Sequence, residues 1–265
     1  MNETKYFEYN RKLWDERVES HKNSTFYNVK GFKAGKTSLN ATELMEIGDI
    51  SGKSILHLQC HFGMDTITFS RMGAKAIGVD FSDDAITLAR DLAKELKTDT
   101  RFISANIYDL KEQLNSKFDI VFTSYGTVGW LPDLTRWAEI VSHFLKKGGM
   151  FYMIDFHPVI WMYDNKSWDI KYSYFNTGPI REEVHGSYAD RYHENVAIEY
   201  GWNHSISEIV NALINSGLHI ECLNEFPYSS YNVFQDMVQG KRGQWHFKSQ
   251  GNKLPLMYSI KTMKK

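Results

Sequence analysis

From Lys53 to Phe156, short apolar runs alternate with amphipathic stretches of helical period, and this alternation restricts the fold more than any other feature of the chain. SILHLQC is an apolar run that ends in a loop, and MDTITFSRMG follows with helical character. KAIGVDF and SDDAITLARDLAKELK repeat the pair, RFISAN and KFDIVFTSYG add two strands, and LTRWAEIVSHFLKKGG with MFYMIDF closes the series. In the second helix Ala85, Leu88, Ala89, Leu92, Ala93 and Leu96 fall at i, i+3, i+4 spacing, one stripe to lay on a sheet. Ser82 is placed as its N-cap, with Asp83 and Asp84 complementing the positive end of the helix dipole. The pair Gly148-Gly149 is placed to stop the helix that begins at Leu134. Strands joined through helices at this spacing predict parallel βαβ units and an α/β, doubly wound, mostly parallel sheet.

The rhythm breaks over residues 156–203 and resumes with HSISEIVNALINSG, where Ser205 and Glu208 have the spacing of a capping box. Ile206, Ile209, Val210, Leu213 and Ile214 are the expected buried stripe of that helix, and LHIECLNEF and PLMYSIKTM are the closing strands. Residues 1–50 predict helices near 4–20 and 38–48 and form an N-terminal cap, leaving 51–265 as the main domain with 156–203 as an insert. The insert carries eleven aromatic residues, among them Trp161, Tyr188, Tyr192, Tyr200 and Trp202, interleaved with His157, His185 and His193. It leaves the sheet at the ligand end, so one reading is a lid that excludes water from a small, partly apolar substrate. The other is a β-hairpin or two whose aromatics pack on one another or across a dimer. The N-terminal Tyr6, Trp14, His21, Phe26 and Tyr27, with the turn GKTSLN, are either a cap over one end of a bound ligand or anchors of a surface helix.

Composition bounds the partners. Thirty-one Lys and Arg against 32 Asp and Glu leave a net charge of −1, so no global field draws the chain to nucleic acid or to an anionic membrane. The most apolar window, GGMFYMIDFHPVIWMY, is interrupted by Asp155, His157 and Pro158 and is too short to span a bilayer. Two cysteines, Cys60 and Cys222, make no disulfide framework, and the first residues lack the pattern of a secretory signal, which points to the cytoplasm. His57, Cys60 and His61 are close in sequence, but no second ligand pair accompanies them, so no metal is expected; His57 is read as a satisfied histidine and Cys60 as a small buried filler.

In an open α/β sheet, ligands sit beyond the carboxyl ends of the strands where strand order reverses, and the first such loop here is QCHFG. Asp80 ends the second strand at the separation from Gly63 that suits a carboxylate accepting from both hydroxyls of a ribose; the alternative is a helix-capping aspartate. ILHLQCHFG, GVDFS, SAN and FDIVFTSYG, in this order, resemble class I S-adenosylmethionine-dependent methyltransferases, over residues 53–155 and, in plan, from 204 onward. More narrowly the chain resembles a bacterial branch marked by HLQCHFG, in which His57 replaces the usual acid and Gln59 and His61 replace two glycines of GxGxG, with Gly63 retained. The resemblance implies a seven-stranded methyltransferase sheet and S-adenosylmethionine as cofactor. It places Gln59, Cys60, His61 and Gly63 beside the cofactor, Asp80 on the ribose, Phe81 on the adenine face, and Asn106 with Ile107 at the adenine edge. Ser124 and Gly126 would flank the methionyl end, and Tyr125, Trp130, Trp161 and Tyr188 are the substrate-side candidates. For Phe81 the alternative is a core aromatic, and for Asn106 a turn residue.

Methyl transfer from a sulfonium needs alignment and exclusion of water, and a general base only where the acceptor must lose a proton. His157, directly after the fifth strand, and Tyr125 are the candidate catalytic residues. SYGTVGW stands where nucleic-acid amino-methylating enzymes carry Asn/Asp-Pro-Pro-aromatic, so a small-molecule acceptor is expected, handled by a monomer or homodimer. A non-catalytic adenosylmethionine-binding protein and a nicotinamide-dependent oxidoreductase remain the alternatives.

Overall fold

The computed structural model describes residues 3–164, 167–191, 196–234, 236–240 and 243–265. Three helices come first, α1 (Glu3–Asn23), α2 (Val29–Lys33) and α3 (Ala41–Ile47). The alternating region then runs β1 (Ser54–Leu58), α4 (Met64–Arg71), β2 (Lys75–Asp80), α5 (Asp83–Glu95), β3 (Arg101–Ser104), α6 (Leu110–Gln113), β4 (Phe118–Ser124), α7 (Leu134–Phe144) and β5 (Leu145–Phe156). β6 (Ile180–His185) and β7 (Val196–Gly201) precede α8 (Ile206–Asn215), and β8 (Leu218–Phe226), β9 (Met237–Gln239), β10 (Trp245–Phe247) and β11 (Met257–Lys264) complete the chain.

Seven strands form one sheet in the order β3-β2-β1-β4-β5-β11-β8, parallel from β3 to β5 and antiparallel where β11 enters between β5 and β8. Helices cover both faces, which is why β1 is buried along nearly its whole length instead of alternating. One face packs α7 and α8 through Trp137, Phe144 and Leu213; the other packs Ile55, Phe69, Phe122 and Tyr152 beneath α3 and α4. The order in which successive strands are added reverses between the parallel β1 and β4, so the ligand crevice opens at their carboxyl ends.

Local chemistry explains the element ends. Ser82 accepts from Ala85 N at 3.1 Å and starts α5, and Asp133 accepts from Thr135 N and Arg136 N at 2.9 and 3.0 Å and starts α7. Three expectations are corrected. α7 stops at Phe144, not at the glycine pair; Gly148 and Gly149 instead belong to an irregular start of β5, where a Cβ on Gly149 would lie 2.9 Å from Lys146 O and 3.1 Å from Phe118 O. Only half of the capping box of α8 forms: Ser205 accepts from Glu208 N, while the Glu208 carboxylate turns to His204 Nδ1 at 2.9 Å. Ile214 is exposed, because α8 leans its stripe on Ile209, Ala212 and Leu213.

The insert is an antiparallel hairpin, β6 with β7, and α1 lies against it. Asn10, on α1 and buried, donates through Nδ2 to Tyr200 O at 2.7 Å and accepts at Oδ1 from Tyr200 N at 2.9 Å. Arg17 reaches Glu199 at 3.3 Å, and Tyr27 and Tyr188 share a hydrogen bond of 2.5 Å. The cap and the insert thus form one roof over the crevice. Tyr192 and His193 lie outside the described residues.

Candidate active site

Beneath the roof is a cavity of about 1020 Å³. Its floor is made by the ends of the parallel strands. Gln59, Cys60, His61 and Gly63 come from the β1–α4 loop, Asp80 and Phe81 from the end of β2, Asn106 and Ile107 from the end of β3, and Ser124, Tyr125 and Gly126 from the end of β4. Trp130, Trp161 and Tyr188 also line it, so all the expected cofactor and substrate positions come together.

The β1–α4 loop keeps the backbone of a glycine loop without its glycines. Gln59, His61 and Gly63 have φ of +57°, +49° and +75°, the left-handed region at every second residue. At a non-glycine position that conformation costs roughly 1–2 kcal/mol, and the fold holds it here twice. Gly63 has no substitute: a Cβ would come within 2.3 Å of the Phe102 ring. At the other two positions a side chain and a backbone N–H secure the turn. Gln59 Nε2 donates to Thr127 O at 2.9 Å, and His61 N donates to Asp80 Oδ2 at 2.7 Å. Seven described non-glycine residues have positive φ, and Asn28, Gln59, His61 and Tyr125 among them line the cavity. Such strain gathers where side chains must be aimed.

Asp80 is buried, and its other oxygen accepts from Ser82 N at 3.0 Å. Burial raises its carboxyl pKa to about 6, against the lowering effect of those backbone donors. Asn106 accepts at Oδ1 from Tyr108 N at 3.1 Å, which caps a short 3-10 turn. The turn reading of this residue therefore holds, and the amide NH2 is the group left to face the cavity that Asn106 lines. Asp155, buried, gathers Gly126 N, Thr127 N, Thr127 Oγ1 and Phe156 N, and by doing so fixes the tight turn that carries Tyr125.

The expectation for His157 fails. Its side chain is not among those lining the cavity; Nδ1 accepts from Val159 N at 3.2 Å and Nε2 faces Glu225 at 2.8 Å, so both ring nitrogens are engaged outside the site. The directional cue was the Pro158 that follows, which shapes the backbone but does not aim the preceding ring. Tyr125 does reach the cavity, and burial with the Glu43 carboxyl pushes its phenol well above the usual range, so the group it presents there is the protonated phenol. His57 is the satisfied core histidine expected, 2.9 Å from Thr66 Oγ1, and Cys60 fills the space under Gly78.

A histidine pair appears that sequence spacing does not reveal. His21 Nδ1 lies 3.0 Å from His61 Nε2, and His21 Nε2 lies 2.9 Å from Ser187 Oγ. Ser187 Oγ already accepts from Ala189 N and Asp190 N, so its own proton goes to His21 Nε2. His21 then donates through Nδ1, and His61 is left with a proton on Nδ1, a buried donor with no partner among the described residues. Burial keeps both rings neutral, His21 at about 3 and His61 well below its ordinary value. Asp65 and Glu43 were also missed, since an aspartate in a first helical turn and a glutamate in a capping position read as structural.

Residues 55–149 match the family model described as "Methyltransferase domain". A ubiquinone biosynthesis O-methyltransferase from Alkalilimnicola ehrlichii is 26% identical over 103 residues, 39% of this chain and 41% of that protein. The protein of the same name from Shewanella pealeana is 25% identical over 130 residues, 48% of this chain and 55% of its own. The chain thus spans about half the length of the curated relatives it matches. Among solved structures, an S-adenosylmethionine dependent methyltransferase from Mesorhizobium loti superposes with a TM-score of 0.58 at 20% identity, covering 84% of this chain and 98% of that one. The chain has the class I methyltransferase fold.

Proposed function

We propose that this chain, whose residues 55–149 carry a methyltransferase domain, is an S-adenosylmethionine-dependent methyltransferase acting on a small-molecule acceptor. The observation that carries the reading is the run of left-handed residues at 59, 61 and 63 beside the Asp80 carboxylate. A loop shaped this way passes close to a ligand's backbone-facing side, and Asp80 stands at the next strand end to accept from vicinal hydroxyls.

The cavity suits the cofactor in size and in polar chemistry. Small-molecule sites run to roughly 1,000 Å³, so this one has room for a nucleoside cofactor and an acceptor together. Gln59 Oε1 and the His61 Nδ1 proton are buried on its wall without partners among the described residues, an acceptor and a donor that a polar ligand would satisfy. Asp80 would hold the ribose hydroxyls, Phe81 would cover one adenine face, and Asn106 with Ile107 would meet its edge. His61, Gln59, Ser124 and Gly126 would flank the methionyl end. When bound, the cofactor supplies a methyl group already activated by its sulfonium charge, for in-line displacement by the acceptor. The protein's share is then to orient the acceptor and keep water out, which the aromatic roof is built to do.

Calorimetry with adenosylhomocysteine and with the nicotinamide cofactors tests this reading. Binding of adenosylhomocysteine alone is the expected result, and binding of a nicotinamide cofactor alone would overturn it. Release of adenosylhomocysteine across an acceptor panel then separates an enzyme from a non-catalytic binder.

A further inference from the structure

We propose that the part of the cavity lined by Asp65, Tyr125 and Tyr231 is an acceptor subsite for a small amine that enters protonated, with Asp65 on its wall and the buried Glu43 carboxyl acting on all three. The proposal deepens the methyl-transfer reading and rests on it for the step that follows binding.

Topology brings the two carboxyls to the crevice. Asp65 lies in the first turn of α4, two residues past Gly63, and lines the cavity. Glu43 comes from α3, is wholly buried, and accepts at Oε1 from Asn40 N and Asn40 Nδ2 at 3.3 and 3.1 Å. Its second oxygen is buried and has no hydrogen-bond partner among the described residues. The Glu43 carboxyl acts on Tyr125, Tyr231 and Asp65, and all three of these line the cavity.

Donor counting shows what is missing. Asn40 Nδ2 has two protons and three oxygens within reach, those of Glu43, Tyr125 at 3.3 Å and Tyr231 at 3.0 Å. The Tyr125 hydroxyl has one proton for two neighbours, Ser230 Oγ at 3.4 Å and the Glu43 carboxyl, and the Ser38 hydroxyl serves Asp65. Two carboxyls and two phenols therefore hold more acceptor sites than the cluster has protons. Among the described residues no cation figures among the groups acting on either carboxyl, although Arg17, Lys36 and Arg191 line other parts of the cavity wall; burial raises both pKa values, and the Glu43 carboxyl adds to it at Asp65, which reaches about 6. An ammonium brings three donors, no acceptor and the opposite charge. A neutral hydroxyl brings one proton and leaves the charge unopposed. The rings add to the fit: Tyr125 and Tyr231 meet edge to face at 4.8 Å and Phe26 lies 5.2 Å from Tyr231, aromatic surface of the kind that receives cations.

The same carboxyl is suited to the proton the reaction must shed. The bound ammonium gives one proton to the Asp65 carboxylate. The freed nitrogen lone pair forms the N–C bond to the methyl while the C–S bond breaks, its electron pair staying on sulfur. A thioether and an N-methylated ammonium result, and Asp65 returns its proton to solvent.

Calorimetry on the whole chain with adenosylhomocysteine present, comparing phenethylamine with its hydroxyl analogue 2-phenylethanol, tests the subsite. At pH 7.5 the amine is expected to bind at least about tenfold more tightly, and Asp65→Asn to shrink that preference below about threefold while adenosylhomocysteine affinity holds. Equal binding of the two probes, or a preference that survives in Asp65→Asn, overturns the proposal. Should Asp65→Asn fail to fold, Glu43→Gln and a pH shift decide. At pH 5 Asp65 is largely protonated; the groups facing it are Glu43, Cys60, Tyr27 and Tyr231, none a cation, and His21 does not titrate in that range. The preference is expected to fall at pH 5 and in Glu43→Gln, and its persistence in both sinks the subsite. Failure of adenosylhomocysteine to bind while the amine preference stands would instead remove the cofactor reading alone.

Discussion

The floor and the roof of the cavity are built by different means. On the floor, polar groups are held by backbone donors of neighbouring strand ends: Asp80 by His61 N and Ser82 N, Asp155 by Gly126, Thr127 and Phe156. On the roof, segments far apart in sequence are tied through side chains: Asn10 to Tyr200, Arg17 to Glu199, His21 to Ser187, Tyr27 to Tyr188. The floor is continuous with the sheet core, whereas among the described residues the hairpin of the roof forms a two-stranded sheet of its own and leans on α1. A two-stranded ribbon is marginal by itself, so the roof opens at a lower free energy than the floor.

The largest effect that would sharpen this contrast belongs to the floor. Gly63→Ala combines a left-handed φ with a Cβ inside the Phe102 ring, and should lower stability by about 3 kcal/mol, read as a fall in the denaturation midpoint. Asp80→Ala should weaken adenosylhomocysteine about 100-fold, close to 2.7 kcal/mol, by calorimetry. Because burial raises the Asp80 carboxyl to about 6, wild-type affinity should also drop about tenfold from pH 7.5 to pH 5, where the ligand must meet a protonated acid. The stability of the free protein has the opposite sign for this group. With a raised folded pKa, the folded state binds the extra proton, so the contribution of Asp80 declines as pH rises from about 4 to about 6. The roof is tested by Asn10→Ala, which leaves both polar groups of Tyr200 without their partner. Amides of β7 should exchange about 30-fold faster, near 2 kcal/mol, with those of β1 and β4 unchanged. Equal acceleration in both places would erase the distinction between the regions. The smallest effect is expected from Gln59→Gly: relief of left-handed strain offsets loss of the bond to Thr127, so stability should stay within about 1 kcal/mol.

The same division explains what the sequence made legible. Ser82, Asp80, Gly63 and the helix stripes act on neighbours a few residues away, so their spacing carries their roles. The end of α7 was misplaced because Gly148-Gly149 reads as a stop, whereas the glycines serve the close approach of β5 to β4, a partner not adjacent in sequence. His157 was misassigned because its position at a strand end fixes its backbone, while Glu225, 68 residues away, decides where the ring points. Asp65, Glu43 and the His21–His61–Ser187 chain escaped notice for the same reason: each needs residues brought together by the fold. Substituting Gln59 and His61 for glycines obscures the loop in sequence, yet leaves its backbone course intact.

Asn10 binds the peptide of Tyr200 as a neighbouring strand would, with one donor and one acceptor facing the outer edge of β7. A helix side chain thus blunts an edge that would otherwise recruit another chain, and it does so near the end of a two-stranded ribbon. Loss of that one amide would turn a cover for a cavity into a nucleation point for self-association.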